Sequence, residues 1–162
     1  MEKHLLGIEY YSTKVSKLTD EILRLKQTAE VQLDMSYSPY SHFQVGAAIL
    51  MENNEVFAGC NQENASYPLC LCAERVALYN AGTRYPTMPI QAMFLTTRNK
   101  NRKLKEPASP CGACRQVISE FAEKTGKPFP IYINTFDSDK VIMFPNANAL
   151  LPFSFSKVFL IP

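Results

Sequence analysis

Apolar positions recur along this chain with two different periods. Leu18, Ile22, Leu25, Ala29 and Leu33 are spaced as one face of a helix. Thr19 and Asp20 precede that stripe and suit a helix start. Residues 1–17 are polar and weakly patterned, and read as an N-terminal extension to a single domain spanning 18–162. Ser36 to His42, rich in Ser, Tyr and Pro, reads as a loop. Phe43 to Met51 is apolar and β-prone, Asn53-Asn54 supplies a turn, and Val56 to Cys60 returns, which predicts a hairpin.

A polar loop, Asn61 to Leu71, leads to a helix from about Cys72 that Gly82 is expected to stop. Ile90 to Thr97 reads as a buried strand, followed by a long polar loop to Pro110. Cys114, Val117, Ile118, Phe121 and Ala122 form the stripe of a further helix, stopped by Gly126 and Pro128. Phe129 to Asn134 and Lys140 to Phe144 read as strands, and Asn146 to Leu151 as a short helical turn. The order α-β-β-α-β-α-β-β predicts an α/β fold, with a mixed sheet covered by helices on both faces.

Composition narrows the function. The 162 residues suit one domain, and 46% are apolar, which excludes a disordered chain. A formal charge of +2 makes no strong field for polyanions. The basic run Arg98 to Lys105 reads as a solvated loop. No apolar run approaches membrane-spanning length and no secretory signal is evident, so a cytoplasmic setting is expected. Five cysteines fit no even disulfide framework, and in a reducing compartment clustered thiols bind metal.

Three of those cysteines carry the chemistry. Cys111 and Cys114 are three apart at a predicted helix start, which puts both sulfurs on one side. Gly112 between them lets the backbone come close to a metal. Cys72 sits at the start of another helix. Three thiolates around one Zn²⁺ leave the fourth position for water, the mark of a catalytic rather than a structural site. Glu74, two residues after Cys72, can face the metal without binding it and move the water's proton. This is apparatus for hydrolytic removal of an amine from a nucleobase. A three-thiolate zinc carries net negative charge, so compensation is needed. Two helix N-termini, together with Arg75 and Arg115, are the available sources, and at least one arginine should donate to a ligating sulfur. A structural zinc knuckle would need a fourth ligand, and Cys60 and Cys70 are poorly spaced for it. A redox C-x-x-C centre would not need the Cys72-Ala73-Glu74 element.

With these residues in hand, the chain resembles the small cytidine deaminases of pyrimidine salvage. The likeness rests on Phe43-Gln44-Val45-Gly46-Ala47-Ala48, on Gly59 to Pro68, on Cys72-Ala73-Glu74-Arg75 and on Ser109 to Gln116. It implies a three-layer α/β/α sandwich with a five-stranded mixed sheet. The implied activity is zinc-dependent deamination of free cytidine and 2′-deoxycytidine, and the all-Cys ligand set resembles the homotetrameric branch. Further implied roles are Phe43 stacking on the pyrimidine, Asn61 and Glu63 holding the ribose 3′-hydroxyl, and the Ala73 N–H and Ser109 C=O reading the base edge. Tyr67 and Phe155 would complete a neighbouring subunit's pocket. Cys70 stands where the family usually has glycine. A polynucleotide deaminase would need a basic, aromatic-lined groove, which the charge and the absence of Trp disfavour. A relative acting on a nucleoside antibiotic is the other alternative. A non-enzymatic, zinc-stabilised interaction module would be indifferent to Glu74→Gln. The apolar tail from Lys157 to Pro162 is expected to pack on a partner subunit.

Overall fold

A computed structural model describes residues 1–160. The last two residues of the apolar tail, 161 and 162, lie outside the described residues. The elements are β1 (Tyr11–Lys14), α1 (Asp20–Met35), β2 (Phe43–Met51), β3 (Val56–Cys60), α2 (Ala73–Arg84), β4 (Ile90–Asn99), α3 (Gly112–Thr125), β5 (Ile131–Thr135), β6 (Lys140–Phe144) and α4 (Ala147–Leu150).

One mixed sheet contains six strands in the order β1-β6-β5-β4-β2-β3. β4 and β5 run parallel and every other neighbouring pair is antiparallel. The expected five strands are thus corrected to six. The additional strand is β1, inside the segment read as an extension, with Tyr11 to Lys14 paired against Met143 to Lys140. Its residues are mostly exposed, so no alternation of apolar side chains marked it in the sequence. Backbone pairing alone makes it a strand.

Side chains of the central strands alternate between two cores. Ala48 and Leu50 of β2 join Phe94 of β4 under Ile22, Leu25 and Ala29 of α1. Ala47, Ile49 and Met51 point the other way, towards Ala77 and Leu78 of α2 and Ile118 of α3. Helices therefore cover both faces. α1 begins where the sequence indicates, because Thr19 Oγ1 accepts from the Ile22 N–H at 3.4 Å. α3 ends at Gly126, whose φ of 69° is left-handed.

Gly82 does not stop α2, which continues to Arg84. A Cβ at Gly82 would stand 2.8 Å from the Phe121 ring, so this glycine serves the close crossing of α2 and α3 rather than a helix cap. No helix among the described residues is long and apolar enough to cross a membrane.

Candidate metal and catalytic site

The N-termini of α2 and α3 meet above the β4 strand. Cys72 is the N-cap of α2 and Cys111 the N-cap of α3, both in extended backbone conformation, with no capping side-chain hydrogen bond. That leaves their sulfurs free to turn inward. Cys114 lies one turn into α3 and is fully buried. Among the described residues these three form the cysteine cluster able to hold a metal, with all sulfurs within 4.8 Å of one another. Cys72 Sγ is 3.9 Å from Cys111 Sγ, which is 3.4 Å from Cys114 Sγ. Tetrahedral zinc with Zn–S bonds of about 2.3 Å needs sulfurs about 3.8 Å apart, so the donor set and its spacing fit zinc.

The remaining thiols are engaged elsewhere. Cys60 Sγ contacts the Met35 carbonyl at 3.3 Å, and Cys70 Sγ accepts from the Asn64 N–H at 3.2 Å. A Cβ at Gly112 would meet nothing within 4 Å, so protein packing does not require glycine there.

Electrostatics prepare the thiols. A hydrogen bond from Cys114, assisted by Arg75, holds the Cys72 thiol down at about 5 against the effect of burial. Cys114 is raised, first because it donates to Cys72 and then because it is buried. Metal binding therefore has to release protons from this cluster. Arg75 Nη2 donates to Cys72 Sγ at 3.6 Å and to the Cys70 carbonyl at 3.2 Å. Arg115 is directed elsewhere: its Nε donates to the Pro110 carbonyl at 2.8 Å and its Nη1 to the Leu150 carbonyl at 3.0 Å. It fastens the backbone ahead of Cys111 rather than touching sulfur.

Glu74 stands in the first turn of α2 and is 5% exposed. Burial pushes its carboxyl up to about 7, and the neighbouring Cys72 charge adds to the rise. A carboxyl in that range can both accept and release a proton near neutral pH.

A cavity of about 380 Å³ opens on this cluster. Cys72, Glu74, Ser109 and Cys111 line it together with Phe43, Asn61 and Glu63. Four separate segments of the chain thus converge on one space. Asn61 is largely committed to the scaffold. Its Oδ1 accepts from the Val45 N–H at 2.8 Å and from Ser36 Oγ at 2.7 Å, while its Nδ2 donates to the Phe43 carbonyl at 2.9 Å.

Glu63 is held below the usual carboxylate range. Its slight burial raises it, but hydrogen bonds from Ser41 Oγ and the Tyr40 and Ser41 N–H groups outweigh that. Ala73 is buried at the first position of α2. Tyr67 is not in this cavity. It is exposed beside an adjoining recess that shares Ser41, Glu63 and Cys70 with it. Phe155 is also exposed, its carbonyl accepting from Gln116 Nε2 at 2.7 Å. Ser41, Leu95 and Thr97 line the cavity without having been singled out in the sequence. Odd positions of β4 share one face, so Leu95 and Thr97 were deducible only once the register with β2 was known.

A family model described as the cytidine and deoxycytidylate deaminase zinc-binding region matches residues 20–126. The chain belongs to this family. The matched span runs from the start of α1 to the glycine that ends α3, and so includes all three clustered cysteines and Glu74. The cytidine deaminase of Sporosarcina psychrophila is 39% identical over 127 residues, covering 76% of this chain and 83% of that protein. That of Halalkalibacterium halodurans is 37% identical over 139 residues, covering 85% and 95%. The crystal structure of cytidine deaminase from Burkholderia pseudomallei superposes with a TM-score of 0.71 at 35% identity, covering 85% of this chain and 100% of that one.

Proposed function

We propose that this chain converts cytidine and 2′-deoxycytidine to uridine and 2′-deoxyuridine, with water consumed and ammonia released. The observation that carries the reading is the juxtaposition of a three-thiol metal cluster and the buried Glu74 in the wall of one nucleoside-sized cavity. The named relatives support the substrate class.

Cys72, Cys111 and Cys114 would hold one zinc per subunit. Zinc there supplies the Lewis acidity that makes water a nucleophile near neutral pH. Glu74 takes a proton from the attacking water and delivers it to the pyrimidine ring nitrogen. The same carboxyl then takes the second proton, from the hydroxyl newly bound to the ring carbon, and passes it to the amine, so that ammonia leaves as the carbonyl forms and one group serves as base and acid in turn. Its burial keeps bulk water from competing for that proton. Arg75 offsets the negative charge gathered on the thiolates, and Arg115 supports the backbone leading to Cys111.

Phe43 stacks on the base, the Ala73 N–H and Ser109 C=O read its edge, and Asn61 and Glu63 hold the ribose 3′-hydroxyl. With most of its amide tied to the scaffold, Asn61 has one N–H left to offer, and Glu63 is the principal acceptor. We read the architecture as three layers, and the catalytic domain as one unit to which residues 1–17 are an extension that lends a strand. Tyr67 and Phe155, both exposed beside apolar surface, fit a homotetramer in which a neighbour completes each pocket. A place in cytoplasmic pyrimidine salvage follows from the substrate.

The test is the fall in ultraviolet absorbance on incubation with cytidine, with zinc content measured on the same sample. Turnover in the parent, and its loss in Glu74→Gln with zinc retained, is the expected result. No absorbance change in a fully zinc-loaded protein would overturn the proposal.

A further inference from the structure

On the sheet face opposite the cavity, Gln44 is 1% exposed and both ends of its side-chain amide are engaged. Its Nε2 donates to the Leu33 carbonyl in the last turn of α1 at 2.7 Å, and its Oε1 accepts from Arg98 Nε at 2.8 Å. Arg98 also donates through Nη2 to Asp34 and lies over the Phe136 ring, 5.3 Å from its centroid. Gln44 and Arg98 are directly opposed across β2 and β4. Phe43 and Val45, the flanking residues of β2, line the cavity.

Because successive residues of a strand face opposite ways, pinning residue 44 from behind fixes the direction of residues 43 and 45 in front. The backbone of Phe43 is held at the strand's first position, its carbonyl by Asn61 Nδ2 at 2.9 Å and its N–H by Ser41 Oγ at 3.0 Å, after His42 with its left-handed φ of 56°; the Gln44 link adds a restraint from the other face of the sheet. An amide between a helix-end carbonyl and a guanidinium is a charge-assisted link of defined direction. We infer that Arg98 is a positioning residue for this enzyme: through Gln44 it locks the orientation of Phe43 in the cavity wall. Arg98 itself does not line the cavity. The inference rests on the reading of Phe43 as the residue that stacks on the base.

Arg98→Met keeps the aliphatic stem and removes the donors. It should raise KM for cytidine by about three- to tenfold, less than the full worth of one charged hydrogen bond because the arginine acts only through Gln44, with kcat within about twofold. In a Phe43→Ala background the same change should raise KM no further, because residues acting through one another are not additive. A merely structural arginine would lower stability yet remain additive with Phe43→Ala. Gln44→Met should reproduce the Arg98→Met pattern and serves if the arginine variant does not fold.

Amide hydrogen exchange over residues 41–46, read by mass spectrometry on the zinc-loaded proteins, should quicken in both variants while exchange in α2 and α3 stays unchanged. Unchanged exchange over 41–46, or an additive KM effect, overturns the inference. If the parent fails to turn over cytidine, the functional reading falls, and the exchange measurement still decides whether the clamp exists.

Discussion

Arg75 Nη2 bridges Cys72 Sγ and the carbonyl of Cys70, so the guanidinium that neutralises a thiolate also ties it to the loop ahead of α2. The link couples charge to position. Arg75→Gln should lower zinc affinity or kcat/KM by about 10- to 100-fold, the usual effect of removing a partner of a metal ligand. Chelator competition and steady-state kinetics on the same preparation measure it. Wild-type values for both would show that the contact is dispensable.

Glu74 should leave a signature in stability as well as in rate. Its carboxyl titrates at about 7 when folded and near 4.5 when unfolded. The folded chain therefore holds the proton over a window in which the unfolded chain has lost it. Glu74's contribution consequently becomes less favourable as pH rises from 4.5 to 7 and is level above that. The full effect is on the order of 3 kcal/mol. In metal-free protein, Glu74→Gln should match the parent near pH 4 and exceed its stability near pH 8 by that amount. Urea denaturation at the two pH values checks this, and equal midpoints at pH 8 would contradict it.

Gly46 of β2 lies directly against the backbone of α1. A Cβ there would lie 1.9 Å from the Ala29 carbonyl oxygen, which belongs to helix backbone and cannot swing aside. Gly46→Ala should cost at least about 2 kcal/mol. It should also disturb Phe43 and Val45, because the helix would be pushed off β2. Denaturation midpoints for this variant and for Gly112→Ala, where a Cβ meets nothing within 4 Å, form the comparison. Equal losses would refute it.

Deleting residues 1–17 removes β1 and uncovers the edge of β6. Four cross-strand pairs are lost, worth about 1–3 kcal/mol together. The truncated chain should melt earlier and aggregate more readily through the bared edge. Deletion of residues 1–9 leaves β1 and the Tyr10–Phe144 ring contact in place and should change little. Thermal melts with light scattering separate the two deletions, and identical behaviour would argue against a structural role for the strand.

Local chemistry was legible wherever residue type and spacing act on their own neighbourhood. The i, i+3, i+4 apolar stripe of α1, the Thr19 cap and the hairpin of β2 and β3 all follow from backbone geometry within a few residues. The Cys111 and Cys114 spacing, and Glu74 two residues beyond Cys72, follow likewise. What depended on contacts between distant segments was not legible. β1 has no apolar face to reveal it, Gly82 reads as a helix stop until Phe121 is seen against it, and Arg115 resembles Arg75 until its partners prove to be carbonyls. Side-chain type and periodicity thus determined which groups are available for zinc and proton transfer. Only the packing of α2, α3 and β2 around β4 decided which of them share one cavity, because long-range register is set by burial across the whole sheet.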